Sequence, residues 1–277
     1  MQQRGSNRNI MGITLTLLAC IAIFILLIRL LEDRFIYYPE KYPAGVWNPE
    51  AYGLRVEDCF FQTEDNLTLH GWFVPADSVS AKTLLFFHGN AGNLSHRIDN
   101  VRLLRDSGIN VFIIDYRGYG RSQGKPSESG LYRDATAARR FLCEKKAVPP
   151  ENLFIFGRSL GGAVAVELAS RHQCAGVILE STFTSAKAMA KQLLPVGPLL
   201  KSKFDSINKI AQITSPILII HGTADELVPY SHGLELLEKA GSPKYFYKVE
   251  NAGHNDLIYV GGRAYFERIK IFVESQI

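Results

Sequence analysis

Short apolar segments recur along the chain at regular intervals, and this pattern constrains the fold more than any other feature. Most of them are continuous runs that stop at a glycine or at an ionisable residue. Short continuous runs of this kind are typical of strands that are buried on both faces of a parallel sheet. The predicted strands are 56–61, 67–74, 83–88, 110–114, 153–156, 177–179, 217–220 and 245–249.

Helical segments separate the later strands. Within 130–145, for example, Leu131, Ala135 and Leu142 recur at helical spacing. The first two strands are joined by the short turn 64–66, which is typical of a hairpin. Strand–helix alternation after an antiparallel start predicts an open α/β sheet with right-handed crossovers. The other predicted helices are 97–106, 160–171, 231–240 and 265–275.

Composition excludes several classes of protein. The 277 residues are 47% hydrophobic and 21% charged, which suits a large core and rules out a disordered chain, a collagen-like fibre or a coiled coil. A net charge of +4 gives no reason to expect a nucleic-acid partner. We expect Cys20, Cys59, Cys143 and Cys174 to be apolar residues rather than metal ligands, because they show no CxxC spacing. A single disulfide among the last three stays open.

The N-terminal segment 10–28 contains no charged residue and only Thr14 and Thr16 as polar side chains. As a helix it would be about 28 Å long, which matches the hydrocarbon thickness of a bilayer. The sequence therefore predicts a transmembrane anchor at 10–31. We expect a tail at 1–9, a juxtamembrane linker at 32–55 and the folded domain at 56–277.

Two alternatives to an uncleaved anchor stay open. A secretory signal peptide has a shorter apolar region that ends at a small-residue cleavage site, and no such site precedes Arg29. The segment 17–20 is similar to a bacterial lipobox, in which the cysteine, here Cys20, is lipidated after cleavage. The short tail with Arg4 and Arg8 is easily retained in the cytoplasm, so we expect the domain on the non-cytoplasmic side.

The segment Gly157–Gly161 has the form G-x-S-x-G and lies between a predicted strand and a predicted helix. In that setting the serine occupies a sharp turn that directs its hydroxyl away from the sheet. The glycines let backbone and helix pass closely, and the helix N-terminus favours a developing oxyanion. The pattern predicts Ser159 as a nucleophile.

A serine hydroxyl needs a base, and the base needs a carboxylate that orients it. Asp225 follows the strand 217–220 and His254 follows the strand 245–249, so both are expected at the edge of the sheet that carries Ser159. The order Ser, Asp, His is that of a known hydrolase class. Four alternatives remain: Asp225 as a helix cap, Glu226 or Asp256 as the acid, and His254 as a solvated loop histidine.

Stabilising an oxyanion takes backbone N–H donors from two places. We expect the N–H groups of Leu160 and Asn90, with Ala91 as the alternative to Asn90, because the loop after 83–88 is rich in glycine. His88 is expected to hold this loop. No residues near these positions have metal-ligand spacing, so no metal or other cofactor is expected.

Four motifs give the chain a family resemblance: His88–Gly92, Asp115–Ser122, Gly157–Gly162 and His221–Asp225. Together they make the chain similar to α/β-hydrolases, and within them to the membrane-anchored branch that contains α/β-hydrolase domain-containing protein 13 and its bacterial relatives. The resemblance implies a mostly parallel eight-stranded sheet flanked by helices. Residues 185–215 form the longest stretch between predicted strands and contain Pro195 and Pro198, so we expect a short cap there, unlike the cap of many lipases.

The resemblance also implies a serine hydrolase that uses Ser159, Asp225 and His254. We expect cleavage of an ester or thioester through an acyl-enzyme, with a small-molecule or lipid-like acyl substrate and with the membrane contacted through 10–28. A peptidase-like amide hydrolase and a catalytically silent binding protein on the same fold are the alternatives.

Overall fold

The computed structural model describes residues 2–77, 82–193, 199–241 and 243–275. The strands in these ranges are β1 (Tyr38–Pro39), β2 (Glu57–Gln62), β3 (Thr68–Val74), β4 (Thr83–Phe87), β5 (Ala91–Gly92), β6 (Asn110–Ile114), β7 (Leu153–Arg158), β8 (Gly176–Glu180), β9 (Ile217–Gly222) and β10 (Lys244–Val249). The α-helices are α1 (Gln2–Ile36), α2 (Ile98–Asp106), α3 (Glu128–Lys145), α4 (Leu160–Arg171), α5 (Ala186–Leu193), α6 (Tyr230–Lys239) and α7 (Leu257–Glu274). Short 3-10 helices lie at Pro49–Tyr52, Leu94–Arg97, Pro150–Asn152 and Ile210–Gln212.

Eight of the strands form one sheet in the order β10-β9-β8-β7-β4-β6-β3-β2. The pairs from β10 to β6 are parallel, whereas β3 is antiparallel to both β6 and β2. The predicted hairpin, the mostly parallel sheet and the flanking helices are thereby confirmed. The carboxyl ends of β4, β7, β8, β9 and β10 lie along one edge, where their loops can meet.

The sheet is covered on both faces, which explains its continuous apolar strands. Leu85 and Phe87 of β4 pack in a core with α3, α4 and α6, while Leu84 and Phe86 pack in a second core with α2 and α7. All four side chains are fully buried. Burial of a side chain of this size stabilises the fold by about 1.5–3 kcal/mol. Alternate residues of one strand therefore stabilise opposite layers.

Some details differ from the expectations. Helix α7 begins at Leu257, before the predicted start at residue 265, and is kinked at Gly262, whose φ is +50°. The glycine pair at 261–262 interrupts the apolar periodicity, so the sequence pattern did not predict the first two turns of this helix. The two-residue strands β1 and β5 are parallel and too short to give a periodic signal. The predicted cap includes α5, and its residues 194–198 lie outside the described ranges.

Helix α1 extends through Ile36, beyond the predicted anchor. Its segment Met11–Ile36 contains an 18-residue stretch with a mean hydropathy of 2.8 that the rest of the chain does not bury, so the segment is long and apolar enough to span a membrane. At 1.5 Å per residue this segment is about 39 Å long, which exceeds the ~30 Å hydrocarbon core.

The end of α1 is attached to the folded domain by polar contacts. The buried Glu32 carboxylate accepts hydrogen bonds from the backbone N–H groups of Lys201 and Ser202, each at 2.6 Å. The side-chain amide of Asn90 donates to the carbonyl oxygen of Ile36 at 3.1 Å. The C-terminal end of α1 therefore contacts both the segment after α5 and the loop after β4.

Candidate active site

Ser159 lies at the sharp turn between β7 and α4. Its backbone has φ +53° and ψ −118°, a conformation that costs a non-glycine residue about 1–3 kcal/mol. Hydrogen bonds hold the turn: its N–H donates to the carbonyl oxygen of Glu180 at 2.8 Å, and its own carbonyl oxygen accepts from the Thr182 hydroxyl at 2.7 Å. The fold thus presents the Ser159 side chain at the edge of the sheet, partly exposed.

The two outer glycines of the G-x-S-x-G segment allow close passage of the backbone. A Cβ on Gly157 would lie 2.2 Å from the carbonyl oxygen of Gly161. A Cβ on Gly161 would lie 2.0 Å from the carbonyl oxygen of Phe87 in β4. Since real side chains do not tolerate such distances, only glycine at these positions lets α4 start directly above β4 and β7.

The structure brings the three predicted side chains together. The Nε2 atom of His254 lies 3.1 Å from Oγ of Ser159, and its Nδ1 atom lies 2.8 Å from Oδ2 of Asp225. With the proton on Nδ1 donated to the carboxylate, Nε2 is free to accept the serine proton. His254 and Asp225 are both buried. The arrangement fits a proton relay.

Asp225 is held as an ionised carboxylate. Its Oδ1 accepts from the backbone N–H groups of Leu227 at 3.0 Å and Val228 at 2.8 Å, and Nε2 of His221 lies 3.4 Å from Oδ2. Burial acts to raise the pKa of Asp225, but hydrogen bonds from His221 and His254 outweigh it and lower the pKa well below its usual value.

The alternative roles considered for this region have different geometry. Pro229, not Asp225, occupies the cap position of α6. Glu226 is exposed, and Oδ1 of Asp256 accepts from the backbone N–H of Gly253 at 2.7 Å. Asp225 is thus the carboxylate in contact with the His254 ring.

The two predicted oxyanion donors lie on either side of the serine. Asn90 is in the loop after β4, where a Cβ on Gly89 would be 3.7 Å from Cβ of Ser159, and Leu160 is the first residue of α4. Within the described ranges, neither N–H donates to an acceptor. The carbonyl oxygen of Asn90 accepts from the backbone N–H of Tyr38 at 3.0 Å and the Tyr119 hydroxyl at 2.7 Å. These contacts fix the loop.

His88 is fully buried beneath this loop. Its Nδ1 donates to the carbonyl oxygen of Gly89 at 2.7 Å, and its own carbonyl oxygen accepts from the Tyr116 hydroxyl at 2.9 Å. Through these two hydrogen bonds His88 holds the loop that follows β4. Ala91 pairs with Tyr38 in the small parallel sheet.

The sequence did not predict a role for three residues near the site, Arg158, Glu180 and Tyr265. Arg158 donates to the carbonyl oxygen of His254 and to Oε1 of Glu180, both at 2.8 Å. The hydroxyl of the buried Tyr265 donates to the other oxygen of Glu180. The only sequence signal was position: Arg158 precedes Ser159, and Glu180 ends a predicted strand.

The described residues contain neither a candidate metal site nor a disulfide. No three His, Cys, Asp or Glu side chains in the described part of the chain are grouped so as to hold a metal ion. The four cysteines, all in described ranges, are free, so the disulfide left open above is not formed.

Comparison with known proteins gives the same family. The model of the α/β-hydrolase fold matches residues 82–207. Human alpha/beta hydrolase domain-containing protein 17B is 40% identical over 231 residues, covering 82% of this chain and 79% of that protein. The Schizosaccharomyces pombe protein bem46 is 35% identical over 259 residues, covering 87% and 85%.

Solved structures agree on the fold. A Pyrococcus furiosus esterase superposes with a TM-score of 0.73 at 23% identity, covering 87% of this chain and 98% of that chain. At this identity the likeness concerns the fold alone, whereas the two relatives above share sequence over most of their length. The chain therefore belongs to the α/β-hydrolase family.

Proposed function

We propose that the chain is a membrane-anchored serine hydrolase that cleaves an ester or thioester. One observation carries the proposal: His254 lies 3.1 Å from the Ser159 hydroxyl and 2.8 Å from the Asp225 carboxylate, on loops from three separate strands. Polar groups that converge in this way at the carboxyl edge of a sheet are the arrangement that nucleophilic acyl transfer needs.

In the proposed reaction, Oγ of Ser159 attacks the substrate carbonyl while Nε2 of His254 accepts its proton. Asp225 stabilises the imidazolium that forms. The N–H groups of Asn90 and Leu160 donate to the oxyanion of the tetrahedral intermediate. Collapse of the intermediate breaks the bond to the leaving group, which takes the proton from His254. A water molecule, deprotonated by His254, then releases the acyl group.

The preference for an ester over an amide rests on the short cap and the apolar helix α1, which suit an acyl ester or a lipid-like substrate. The relay alone does not separate acyl classes, because serine peptidases use the same groups. Amide hydrolysis by a peptidase-like enzyme is therefore the competing outcome of the substrate test below. If the labelling test below gives no adduct, the chain is a catalytically silent protein on the same fold.

We propose that the anchor is the segment 10–28 within α1, and that the hydrolase domain lies on the non-cytoplasmic side. The support is the exposed apolar surface of Met11–Ile36 and the short tail with its two arginines. The contacts from Glu32 and Ile36 then hold the catalytic domain directly against the membrane surface. Such a position suits a lipid-like acyl substrate.

The proposal is tested by labelling the full-length protein in detergent with a fluorophosphonate and mapping the adduct by mass spectrometry. We expect the adduct on Ser159, and none after Ser159→Ala. Ser170→Ala is the matched control, since the Ser170 hydroxyl bonds to the Glu167 carbonyl oxygen within α4 and should not affect labelling. A folded wild type without adduct, or an unchanged adduct after Ser159→Ala, overturns the proposal.

The acyl class is tested with p-nitrophenyl esters of graded chain length, matched thioesters and aminoacyl anilides. We expect higher kcat/KM for the esters and thioesters. Preferential cleavage of the anilides would replace the ester assignment with a peptidase.

A further inference from the structure

A polar cleft of about 160 Å³ lies beside the catalytic histidine loop. Two of its lining residues, Arg158 and Asn255, are the chain neighbours of Ser159 and His254. The volume is several times the ~30 Å³ that one water occupies in the liquid. Its lining includes the polar side chains of His96, Arg97, Asn100, Arg158, Glu180 and Asn255.

The positive charge in this cleft exceeds the negative charge. Arg158 and Glu180 form an ion pair at 2.8 Å, and the hydroxyl of Tyr265 donates a hydrogen bond to the second carboxylate oxygen of Glu180. Arg97 has no carboxylate within ion-pair distance among the described residues. Glu40, an exposed acid on this side, lies 3.6 Å from the His96 ring instead. One guanidinium is therefore left without a counter-ion.

The Arg97 side chain also has unused donors. Its Nη2 donates to the carbonyl oxygen of Ala91 at 2.7 Å, while its Nε is buried without a hydrogen-bond partner among the described residues. Burial, and to a lesser extent repulsion from Arg158, lowers the pKa of Arg97 to about 10. A buried donor on a charged group without a partner is costly, and an anion would offset that cost.

We infer that the cleft is a subsite for an oxyanion of the phosphate or carboxylate type, bound chiefly by Arg97. A guanidinium presents a planar pair of N–H donors that matches two oxygens of such a group. The amides of Asn100 and Asn255 supply neutral polar contacts on the same walls. Glu180 does not oppose the anion because Arg158 and Tyr265 already bind both of its oxygens.

The position of the cleft identifies the half of the substrate that carries the anion, and this step rests on the proposed function. The leaving group receives its proton from His254, so it departs on the side of the histidine loop. Asn255, the next residue, lines the cleft. The anion is therefore a substituent of the alcohol or thiol that leaves, not of the acyl chain that stays on Ser159.

Direct binding tests the subsite without any activity. Inorganic phosphate is titrated calorimetrically into the full-length protein in detergent at constant ionic strength. Arg97→Gln removes the charge, and Asn100→Asp adds an opposing charge on the same wall. Each should weaken phosphate binding about tenfold or more. Arg102→Gln is the matched control, because Arg102 lies on α2 and is partly exposed.

Two results of this titration would overturn the subsite. One is the absence of phosphate binding to the wild type. The other is equal binding by the wild type, Arg97→Gln and Asn100→Asp. If Arg97→Gln does not fold, the comparison of wild type with Asn100→Asp decides whether the subsite exists. Asp differs from Asn only in its terminal side-chain group, and an acid is tolerated near the start of a helix, so this variant should fold.

A pair of matched esters then tests the leaving-group assignment. The acetyl esters of 4-hydroxybenzoate and 4-hydroxybenzamide differ in the charge of the leaving group and little in its shape. We expect a higher kcat/KM for the benzoate ester, a ratio that falls about tenfold in Arg97→Gln and persists in Arg102→Gln. Phosphate should inhibit competitively.

Phosphate binding without that preference, or with non-competitive inhibition, would make the cleft a site for a free anion and overturn its assignment to the substrate. If neither ester is cleaved, the proposed function fails, while the phosphate titration still decides on the subsite.

Discussion

Arg158 donates a hydrogen bond to the backbone carbonyl oxygen of His254 at 2.8 Å, across 96 positions of the sequence. The residue before the candidate nucleophile thereby holds the backbone of the candidate base. Glu180 fixes the guanidinium from the neighbouring strand, and Tyr265 of α7 fixes Glu180. Three elements behind the site thus set the position of the imidazole.

Loss of this contact should slow the reaction without weakening substrate binding. Because a displacement of about 1 Å at a catalytic group can cost on the order of 100-fold, we expect Arg158→Gln to lower kcat about 10- to 100-fold on a neutral ester. KM should change little. The measurement is steady-state kinetics, with Arg171→Gln as a surface control because Arg171 is largely exposed. An unchanged kcat would show that Arg158 does not position His254.

Glu32 should stabilise the contact between helix α1 and the segment after α5. Glu32→Ala leaves the N–H groups of Lys201 and Ser202 without their acceptor, which costs about 1–3 kcal/mol locally for the buried donor of Ser202. We expect faster hydrogen exchange in the peptide covering residues 199–204 of the detergent-solubilised protein. Glu50→Ala, an exposed acid elsewhere, is the control. Unchanged protection at 199–204 would contradict the contact.

The stability that Asp225 contributes should depend on pH in one direction. Its pKa is lower in the folded state than in the unfolded chain, so its contribution is complete above the unfolded value of about 3.9 and declines as pH falls below it. The difference in unfolding free energy between wild type and Asp225→Asn should therefore shrink as the pH falls below about 4. Denaturant titrations at several pH values measure it. A difference that grows toward acidic pH would contradict the assignment.

Gly161 should tolerate no side chain. In Gly161→Ala the new Cβ would collide with the carbonyl oxygen of Phe87, so helix α4 must move away from β4. We expect a loss of at least about 3 kcal/mol in unfolding free energy, with loss of fluorophosphonate labelling. Gly12→Ala is the control, because no atom lies within 4 Å of a Cβ there. Near-normal stability of Gly161→Ala would show that the turn is less crowded than the structure indicates.

The fold was predictable because its signals are local. Each buried strand is a short apolar run, and the predicted α4 has the observed bounds Leu160–Arg171. The proximity of Ser159, Asp225 and His254 followed from one topological rule, that parallel strands end at a common edge. Their catalytic roles stay a prediction.

Other features depend on contacts that leave no periodic trace in the sequence. The pairing of Arg158 with Glu180 joins residues 22 positions apart, and its link to His254 depends on how two loops fold. The attachment of Glu32 to Lys201 and Ser202 spans about 170 residues. Only the folded chain brings such groups together.

The central claim is tested most directly by the kinetics of Ser159→Ala, His254→Ala and the double variant on the best p-nitrophenyl ester. If the two side chains act as one relay, each single change should lower kcat by on the order of 10⁴-fold or more, and the double change should lower it no further. Melting temperatures should confirm that all three variants fold. Residual activity near the wild-type value in either single variant, or losses that multiply in the double variant, would contradict the account.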